Sequence, residues 1–571
     1  MEKINKLKKF FQIFNIDGYI VPKNNEYFGE YIDEDEDNLK FISDFTGSYG
    51  FALILKKTNY LFVDGRYTLQ AHNQSSKNFK IVTIPNRMPS NVLKEKFTIG
   101  YDPKIHNEIN LKKIFNGTSC KLKKIEGNLI KLIRPKKTKR KFGKFFVLSD
   151  KVVGKNASQK INILIKNLKK NKADLHFVSD PENVAWLLNI RGKDSPYSPI
   201  PNCRLLLGVD GKKTFFCNKN KIDKFFVKKF KDMAFIDEAL IEVFFNKLRG
   251  KKIMIDKNKL SIFLKDLIKK NNTIIEQIDQ INFYKSIKNK VEIKNSEKSH
   301  LFDGVALTKF IFWLERSYRK KRITEIDAQN KLLYFRKKSK FFKTQSFPTI
   351  SGTGPNGAII HYKANSKSNR VLSKGDIYLV DSGGQYNYGT TDVTRTISLG
   401  NKNTRIKNIF TRVLKGHIAV ANFKLKNNTT GSEIDKVARS PLKKIKLNYE
   451  HGTGHGVGYY LNVHEGPQAF SKNNNFKLRE GMIISNEPGY YEKGKFGIRI
   501  ENLITIKKKT SKMSFQNLTL VPVDKSLIKK EDLSKTEKNW INNYHNIVFK
   551  KLKNFMDKKE LIELKNACSK I

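Results

Sequence analysis

Short apolar runs separated by polar turns dominate the first half of the chain. Their length and their β-branched and aromatic content predict strands at residues 17–21, 51–55 and 60–63. A related pattern returns later, because segment 186–192 and the two short runs after it resemble segment 41–47 and the runs after it. Two recurrences are too few for a solenoid, so we predict two similar α/β domains in tandem.

The second half has a different pattern. Apolar residues at helical spacing between 301 and 314 predict a helix with one buried face. Short apolar runs and Gly-rich turns fill 350–506, and a further helix is predicted near 404–425. His417 falls on the apolar face of that helix, so we interpret it as a packed core histidine. After residue 510, another apolar stripe predicts a helix that packs on the domain.

Charged stretches divide these patterns. We interpret the basic run 136–141 as a solvated linker, and the charged stretch 285–298 as a second boundary. The predicted segments are 1–135, 136–288, 289–510 and 511–571, the last a helical extension.

The formal net charge of +57 raises the question of a polyanionic partner. Lysines punctuate every segment, whereas a nucleic-acid site would cluster them in one patch with interleaved aromatic residues. A biased composition is therefore favoured, and no nucleic-acid partner is expected. The four cysteines are widely spaced, and no apolar run has the length of a membrane span. We expect a cytoplasmic protein with no membrane partner.

Four carboxylates are carried by apolar strands of the third segment: Asp381, Asp392, Glu487 and Glu501. Two like charges ~4 Å apart repel by about 4 kcal/mol at an effective dielectric constant of ~20, so four converging carboxylates require cations among them. We expect a hairpin-like return to place Asp381 beside Asp392. His455 adds an imidazole, and this mixture of oxygen and nitrogen donors indicates Mn²⁺, Zn²⁺ or Co²⁺.

The glycines that surround His455, in HGTGHGVG, also mimic a dinucleotide-binding loop. That interpretation is weak, because no strand–turn–helix unit frames the segment. Glycines here more simply allow the backbone to approach a site closely.

Several segments resemble one known family. They are SFPTISGTGPNGAIIHY, YLVDSGGQYNYGTTDVTRTISLG, HGTGHGVGYYLNVHEGP and ISNEPGYYEKGKFGIRIEN. These resemble motifs of aminopeptidase P, the Xaa-Pro aminopeptidases of metallopeptidase family M24, which have the pita-bread fold. VDGRYTLQA and NVAWLLNIRG are similar to motifs of the long, three-domain, cytosolic-type branch, so the likeness spans nearly the whole chain.

The resemblance implies an α/β fold with two tandem creatinase-like N-terminal domains and a C-terminal pita-bread catalytic domain. It implies a metal-dependent aminopeptidase that hydrolyses the N-terminal Xaa-Pro peptide bond with a metal-bridging hydroxide as nucleophile. The expected cofactors are two divalent metal ions, Mn²⁺ foremost and Zn²⁺ or Co²⁺ as alternatives. The expected partners are peptides with proline at the second position and a second copy of the chain.

The resemblance also implies a role for each metal ligand. Asp392 and Glu501 should bridge both metal ions, Asp381 should complete one site, and His455 with Glu487 the other. Glu487 should also accept a proton from the attacking water.

Further residues match family positions around the substrate. His361 and His464 should contact the substrate and stabilise the transition state, and His451 should be a further active-site histidine. Arg499 should orient Asp392, and Arg66 should approach the substrate from the N-terminal domain.

Three alternative functions share part of this pattern. A prolidase would share the catalytic core but resembles a shorter, two-domain chain. A metal-free hydrolase of the creatinase type would lack the acidic ligands, which are all present. A non-catalytic binding module commonly has an eroded ligand set, and this one is intact. One departure from the family is Lys443, at a position that is often aromatic.

Overall fold

The computed structural model describes residues 1–135, 143–510 and 512–571. The predicted linker 136–141 lies outside these described residues. The chain divides into two compact units, Met1–Ile281 and Asn282–Ile571. The four segment boundaries given above stay predictions.

The first unit contains two six-stranded sheets flanked by helices. The elements of the first sheet region are α1 Glu2–Ile13, β1 Gly18–Pro22, α2 Asn38–Ser43, β2 Phe51–Leu55, β3 Asn59–Asp64, α3 Thr68–Ser75, β4 Lys80–Ile84, α4 Pro89–Val92, β5 Thr98–Tyr101, α5 Glu108–Ile114, β6 Lys121–Lys124 and α6 Leu129–Ile133. Those of the second are β7 Phe146–Val147, α7 Asp150–Val153, α8 Ala157–Lys170, β8 Leu175–Val178, α9 Pro181–Leu188, β9 Ile190–Arg191, β10 Cys203–Gly208, β11 Lys213–Cys217, α10 Lys224–Lys229, β12 Met233–Asp237, α11 Ile241–Lys247, β13 Lys252–Asp256, α12 Ile262–Lys269 and β14 Thr273–Gln277, after which α13 Ile281–Ser286 spans the junction of the two units.

The two sheets of the first unit have the same topology. Their strand orders are β4-β3-β2-β1-β5-β6 and β12-β11-β10-β8-β13-β14. In chain order, the first strand of each sheet, β1 or β8, pairs antiparallel with the second, β2 or β10, and parallel with the fifth, β5 or β13. Equivalent strands therefore pair in equivalent directions. The central strands β2 and β10 are buried along their whole length, as expected when helices cover both faces. The prediction of two similar α/β domains is confirmed.

The second unit combines antiparallel sheets with long helices. Its elements are α14 Lys290–Ser317, α15 Glu325–Lys337, β15 Phe342–Gln345, β16 Ile350–Thr353, β17 Ile377–Ser382, β18 Gly384–Tyr386, β19 Gly389–Thr390, β20 Val393–Ser398, α16 Thr404–Ala421, α17 Gly431–Lys443, β21 Gly454–Gly456, β22 Glu465–Phe470, β23 Ile483–Asn486, β24 Gly489–Glu492, β25 Phe496–Arg499, β26 Asn502–Lys509, β27 Lys512–Asn517, α18 Lys535–Leu552 and α19 Lys558–Ala567. The sheet orders are β16-β17-β20, β22-β21-β23-β26-β27, β15-β18-β19 and β24-β25.

One apolar core joins the helices of the second unit to strands β17 and β20. The predicted helices at 301–314 and 404–425 are observed as parts of α14 and as α16, and the C-terminal stripe is observed in α18, which buries Ile541, Tyr544 and Val548. His417 is fully buried, with Nδ1 3.1 Å from the carbonyl oxygen of Asn486, so its prediction as a core histidine is confirmed. Among the described helices, none is both long enough and apolar enough to cross a bilayer.

Candidate active site

Strands β17 and β20 pair antiparallel and bring Asp381 and Asp392 to one end of a buried sheet. Asp381 lies opposite Thr394, and Asp392 immediately precedes β20. The hairpin-like return predicted from the sequence is confirmed by this pairing. A second hairpin lies within it, in which β19 pairs with β18, and β18 also pairs with β15 in a separate sheet.

Glu501 reaches the same place from the link between β25 and β26. Its backbone N–H donates to the carbonyl of Thr394 at 3.2 Å, and its Oε2 accepts a hydrogen bond of 2.7 Å from Thr394 Oγ1. Thr394 therefore fixes both the backbone and the carboxylate of Glu501.

His455 and Glu487 come from the neighbouring sheet, in which β21 pairs with β23. The His455 backbone N–H donates to Ser485 Oγ at 2.9 Å, and Ser485 Oγ donates to Glu487 Oε1 at 3.0 Å. His455 Nδ1 lies 3.0 Å from the carbonyl oxygen of Gly456, so Nδ1 carries the proton. His455 Nε2 is then free to offer its lone pair, and it lies 3.5 Å from Asp392 Oδ2 and 3.4 Å from Glu487 Oε1.

Donor atoms of Asp392, His455 and Glu501 lie within 4.8 Å of one another. Burial, and then the negative charges of Asp381 and Glu487, raise the pKa of Asp392 well above its usual range. Burial and the charge of Asp392 do the same to Glu501. The carboxylates thus raise one another's pKa values, which is the electrostatic situation that divalent cations relieve.

Two further observations fit a metal centre. Asp381 Oδ1 and Asp392 Oδ1 are buried and have no hydrogen-bond partner, although buried carboxylate oxygens normally accept hydrogen bonds. The donor set is carboxylate oxygen with one imidazole nitrogen, which suits Mn²⁺, Zn²⁺ or Co²⁺. Residues Asp381, Asp392, His455, Glu487 and Glu501 are the ones that could hold metal here.

Arg499 does not have the partner predicted for it. Its Nη2 donates to Asp381 Oδ2 at 2.7 Å rather than to Asp392. The reason is the register of β17 and β20: Thr394 lies opposite Asp381 and accepts Arg499 Nε at 3.0 Å, which directs the rest of the guanidinium to Asp381.

A chain of hydrogen bonds continues from Arg499 to His451. Arg499 Nη1 donates to Tyr491 Oη at 2.6 Å. His451 Nδ1 lies 2.7 Å from the carbonyl of Gly452 and carries the proton, so the Tyr491 hydroxyl donates to His451 Nε2 over 2.8 Å. His451 is therefore connected to Asp381 through two side chains, Tyr491 and Arg499.

The remaining predicted residues lie in three places. The ring of His464 is 4.3 Å from that of His455, centroid to centroid, in an edge-to-face arrangement. His361 follows the 3₁₀ segment Gly354–Ala358, which packs so closely on β25 that a Cβ on Gly497 would meet the carbonyl oxygen of Gly357 at 1.8 Å. Arg66 belongs to the first unit, where its guanidinium forms a bidentate ion pair with Asp64.

Three residues of the site were missed by the sequence analysis: Thr394, Ser485 and Tyr491. A signal existed for Thr394, which lies two residues after Asp392 and therefore on the same face of the extended chain. Ser485 similarly lies two residues before Glu487. Tyr491 bonds to a residue 40 positions away, and no local pattern reports that contact.

Comparison with known families assigns every segment. Residues 294–508 match metallopeptidase family M24, and residues 511–571 match the C-terminal region of that family. Residues 3–135 and 134–292 each match the creatinase/prolidase N-terminal domain.

Similar proteins cover the full length. Xaa-Pro aminopeptidase 1 of Dictyostelium discoideum is 36% identical over 98% of this chain and 94% of its own, and aminopeptidase P2 of Arabidopsis thaliana is 33% identical over 96% and 86%. The crystal structure of X-prolyl aminopeptidase from Caenorhabditis elegans, described as a cytosolic enzyme with a di-nuclear active site, superposes with a TM-score of 0.94 at 30% identity, covering 100% of this chain and 99% of that one. The prolidase of Pyrococcus horikoshii superposes with a TM-score of 0.54 at 25% identity over 64% of this chain and 99% of its own. The expected fold of two creatinase-type domains and a catalytic domain is confirmed, and the chain belongs to metallopeptidase family M24.

Proposed function

We propose that this protein is a metal-dependent aminopeptidase that removes the N-terminal residue from peptides with proline at the second position. The observation that carries the proposal is the convergence of buried carboxylates on the Nε2 atom of His455. The relatives named Xaa-Pro aminopeptidase support it, because their likeness extends over the whole chain.

The proposal includes two divalent metal ions, with Mn²⁺ as the native metal. Asp392 and Glu501 would hold both ions, Asp381 would contribute to one site, and His455 with Glu487 would contribute to the other. When bound, the ions supply Lewis acidity and an activated water. The di-nuclear site of the Caenorhabditis elegans neighbour supports two ions, and the mutual elevation of the carboxylate pKa values supports the binding of cations here.

The chain's own residues handle protons and the substrate. Burial raises the pKa of Glu487, which suits a group that takes a proton from water and returns it to the leaving amine. Ser485 holds Glu487 Oε1 while leaving Oε2 for this task. His464 and His361 act as imidazole donors to the substrate carbonyl oxygen. His451 is held in one tautomer by the carbonyl of Gly452, and its Nε2 accepts from Tyr491.

The substrate explains the need for a dedicated site. An Xaa-Pro bond is a tertiary amide without an N–H, and proline fixes φ near −65°. An enzyme that binds substrates as β-strands loses a hydrogen bond there, whereas a metal centre can recognise the free α-amine and the scissile carbonyl directly.

Three further points belong to the proposal. Arg66 approaches the substrate from an N-terminal domain, and the protein acts as a homodimer. A cytoplasmic location is supported by the description of the Caenorhabditis elegans neighbour as cytosolic and by the four free cysteines.

Dipeptidase activity is the second candidate, because the Pyrococcus horikoshii prolidase shares the fold over 64% of the chain. The test is to strip the protein with a chelator and assay an Arg-Pro-Pro tripeptide and an Xaa-Pro dipeptide, with and without Mn²⁺. Metal-restored cleavage of the tripeptide is expected. Cleavage of the dipeptide alone would identify a prolidase, and no cleavage of either peptide with Mn²⁺, Co²⁺ or Zn²⁺ would refute the enzymatic proposal.

A further inference from the structure

A lysine and a glutamate form an ion pair in the interior of the second unit. Lys288 and Glu465 are separated by 177 residues, and the side chain of each has 0% exposure. Lys288 Nζ donates to Glu465 Oε1 and lies 3.3 Å from the carbonyl oxygen of Ser286. Gln468 Nε2 donates to the same glutamate oxygen at 3.2 Å. The pair is thus enclosed in a small buried polar cluster.

Stability alone does not account for this pair. Removing two charges from water costs several kcal/mol per ion, and neutral residues of similar volume often give an equally stable or more stable protein. A buried ion pair is better explained by what it positions, so its surroundings are informative.

Glu465 follows His464 directly and begins strand β22. In the pairing of β21 with β22, His455 lies opposite Ala469 whereas Gly456 lies opposite Glu465, so residues 466–468 bulge between the two pairs. The packing at this bulge is tight, since a Cβ on Gly456 would lie 2.4 Å from the carbonyl oxygen of Glu465. The position of Glu465 therefore determines where the loop that ends at His464 joins strand β22.

Lys288 is anchored at its other end. Its backbone N–H donates to the carbonyl of Gly481 at 3.0 Å, and Ile287 pairs with Met482 just before the strand that leads to Glu487. The lysine thereby connects that strand to the loop that ends at His464. His455 is anchored by Ser485 Oγ and the carbonyl of Gly456, whereas His464 directly precedes Glu465 in the chain, so the ion pair acts most directly on His464.

We infer that Lys288 and Glu465 are positioning residues that hold His464 in the geometry required for peptide-bond hydrolysis. The inference rests on the proposed function, in which His464 contacts the substrate. Lys288 acts through Glu465 and the backbone and does not itself contact the substrate.

The test uses the full-length, Mn²⁺-loaded enzyme and the variant Lys288→Met/Glu465→Gln, which removes both charges and keeps the hydrogen bond from Gln468. The expected thermal midpoint equals or exceeds that of wild type, because no unpaired charge remains. The expected kcat is about 10–100-fold lower with KM changed less than about 3-fold, the size of effect seen when a supporting contact is lost. In a His464→Ala background, the same two substitutions should lower kcat less than about 3-fold, because residues acting as a unit are not additive.

The matched control is Arg336→Met/Asp303→Asn, which neutralises another buried ion pair of the same unit and should leave kcat within about 3-fold of wild type. Glu465→Gln alone is the milder second variant. It should likewise lower kcat less in the His464→Ala background than in the wild-type background. Wild-type kcat in the double variant, or equal losses in both backgrounds, would overturn the inference. A wild-type enzyme that cleaves no Xaa-Pro tripeptide would instead overturn the proposed function and the inference with it.

Discussion

Strand β20 separates two buried polar networks of opposite character. Arg395 is 1% exposed, and its guanidinium donates to the carbonyls of Thr394, Glu501, Val521 and Pro522, to Asn502 Oδ1 and to Tyr544 Oη at 2.7–3.0 Å. On the other face, Asp392 and Asp381 each keep a buried oxygen that accepts no hydrogen bond.

The difference lies in how each buried charge is compensated. The positive charge of Arg395 is surrounded by neutral acceptors, so that network is complete within the protein. The carboxylates repel one another, and Asp381 and Asp392 each keep one oxygen without a donor, so this second network is completed by cations. The first network stabilises the fold, and the second is an open binding site. The predictions below break one network at a time.

The largest effect is expected for Asp392→Asn. Loss of this carboxylate should lower turnover of an Xaa-Pro tripeptide at least about 10³-fold and prevent retention of two metal ions, while the protein stays folded because a repulsive charge is removed. Metal content by mass spectrometry and steady-state kinetics measure both. The control is Asp327→Asn, which only alters a capping box of α15 and should keep turnover. Wild-type turnover in Asp392→Asn would contradict the ligand assignment.

The converse change, Arg395→Met, should affect stability rather than chemistry. It leaves several buried carbonyls without a donor, so we expect the free energy of unfolding to fall by about 3–5 kcal/mol, measured by urea denaturation. The folded fraction should bind Mn²⁺ with an affinity within about 3-fold of wild type. Arg405→Met, which breaks an ion pair whose arginine is 61% exposed, should change stability by less than about 1 kcal/mol. Loss of metal binding in folded Arg395→Met would show that the two networks are not separate.

A smaller effect should follow from pH at His545, which neighbours Tyr544. Burial, and then the charges of Lys525 and Arg395, lower the pKa of His545 to about 3, and its Nε2 accepts a hydrogen bond from the N–H of Val523. Between this value and the ordinary pKa of about 6.5 the unfolded chain binds the proton more readily. Above pH 6.5 the neutral His545 should therefore carry no penalty. As the pH falls to 5, its resistance to protonation should lower the free energy of unfolding by about 2 kcal/mol.

The His545→Gln variant keeps an acceptor for Val523 but has no titratable group. Its free energy of unfolding should decline less than that of wild type between pH 7 and pH 5, by about 2 kcal/mol, when both are measured in the same denaturant series. Parallel declines in the two proteins would contradict the neutral state assigned to His545.

The sequence predicted the strands that carry Asp381, Glu487 and Glu501 because each is a short apolar run with a carboxylate at its end. It predicted the tandem repeat of the first unit because the repeated pattern is local, within 41–63 and again within 186–216. It misassigned the partner of Arg499. That contact depends on the register of β17 and β20, which a linear pattern does not specify.

The amino-acid sequence by itself determined the local elements, the donor types of the metal centre and, through its motifs, the family. These follow from periodicity and residue chemistry, which act over a few positions. Only the tertiary structure decided that Thr394 holds Glu501, that Tyr491 connects Arg499 to His451, and that Lys288 pairs with Glu465. The partners in the first and last of these contacts are more than 100 residues apart, so only chain folding brings them together.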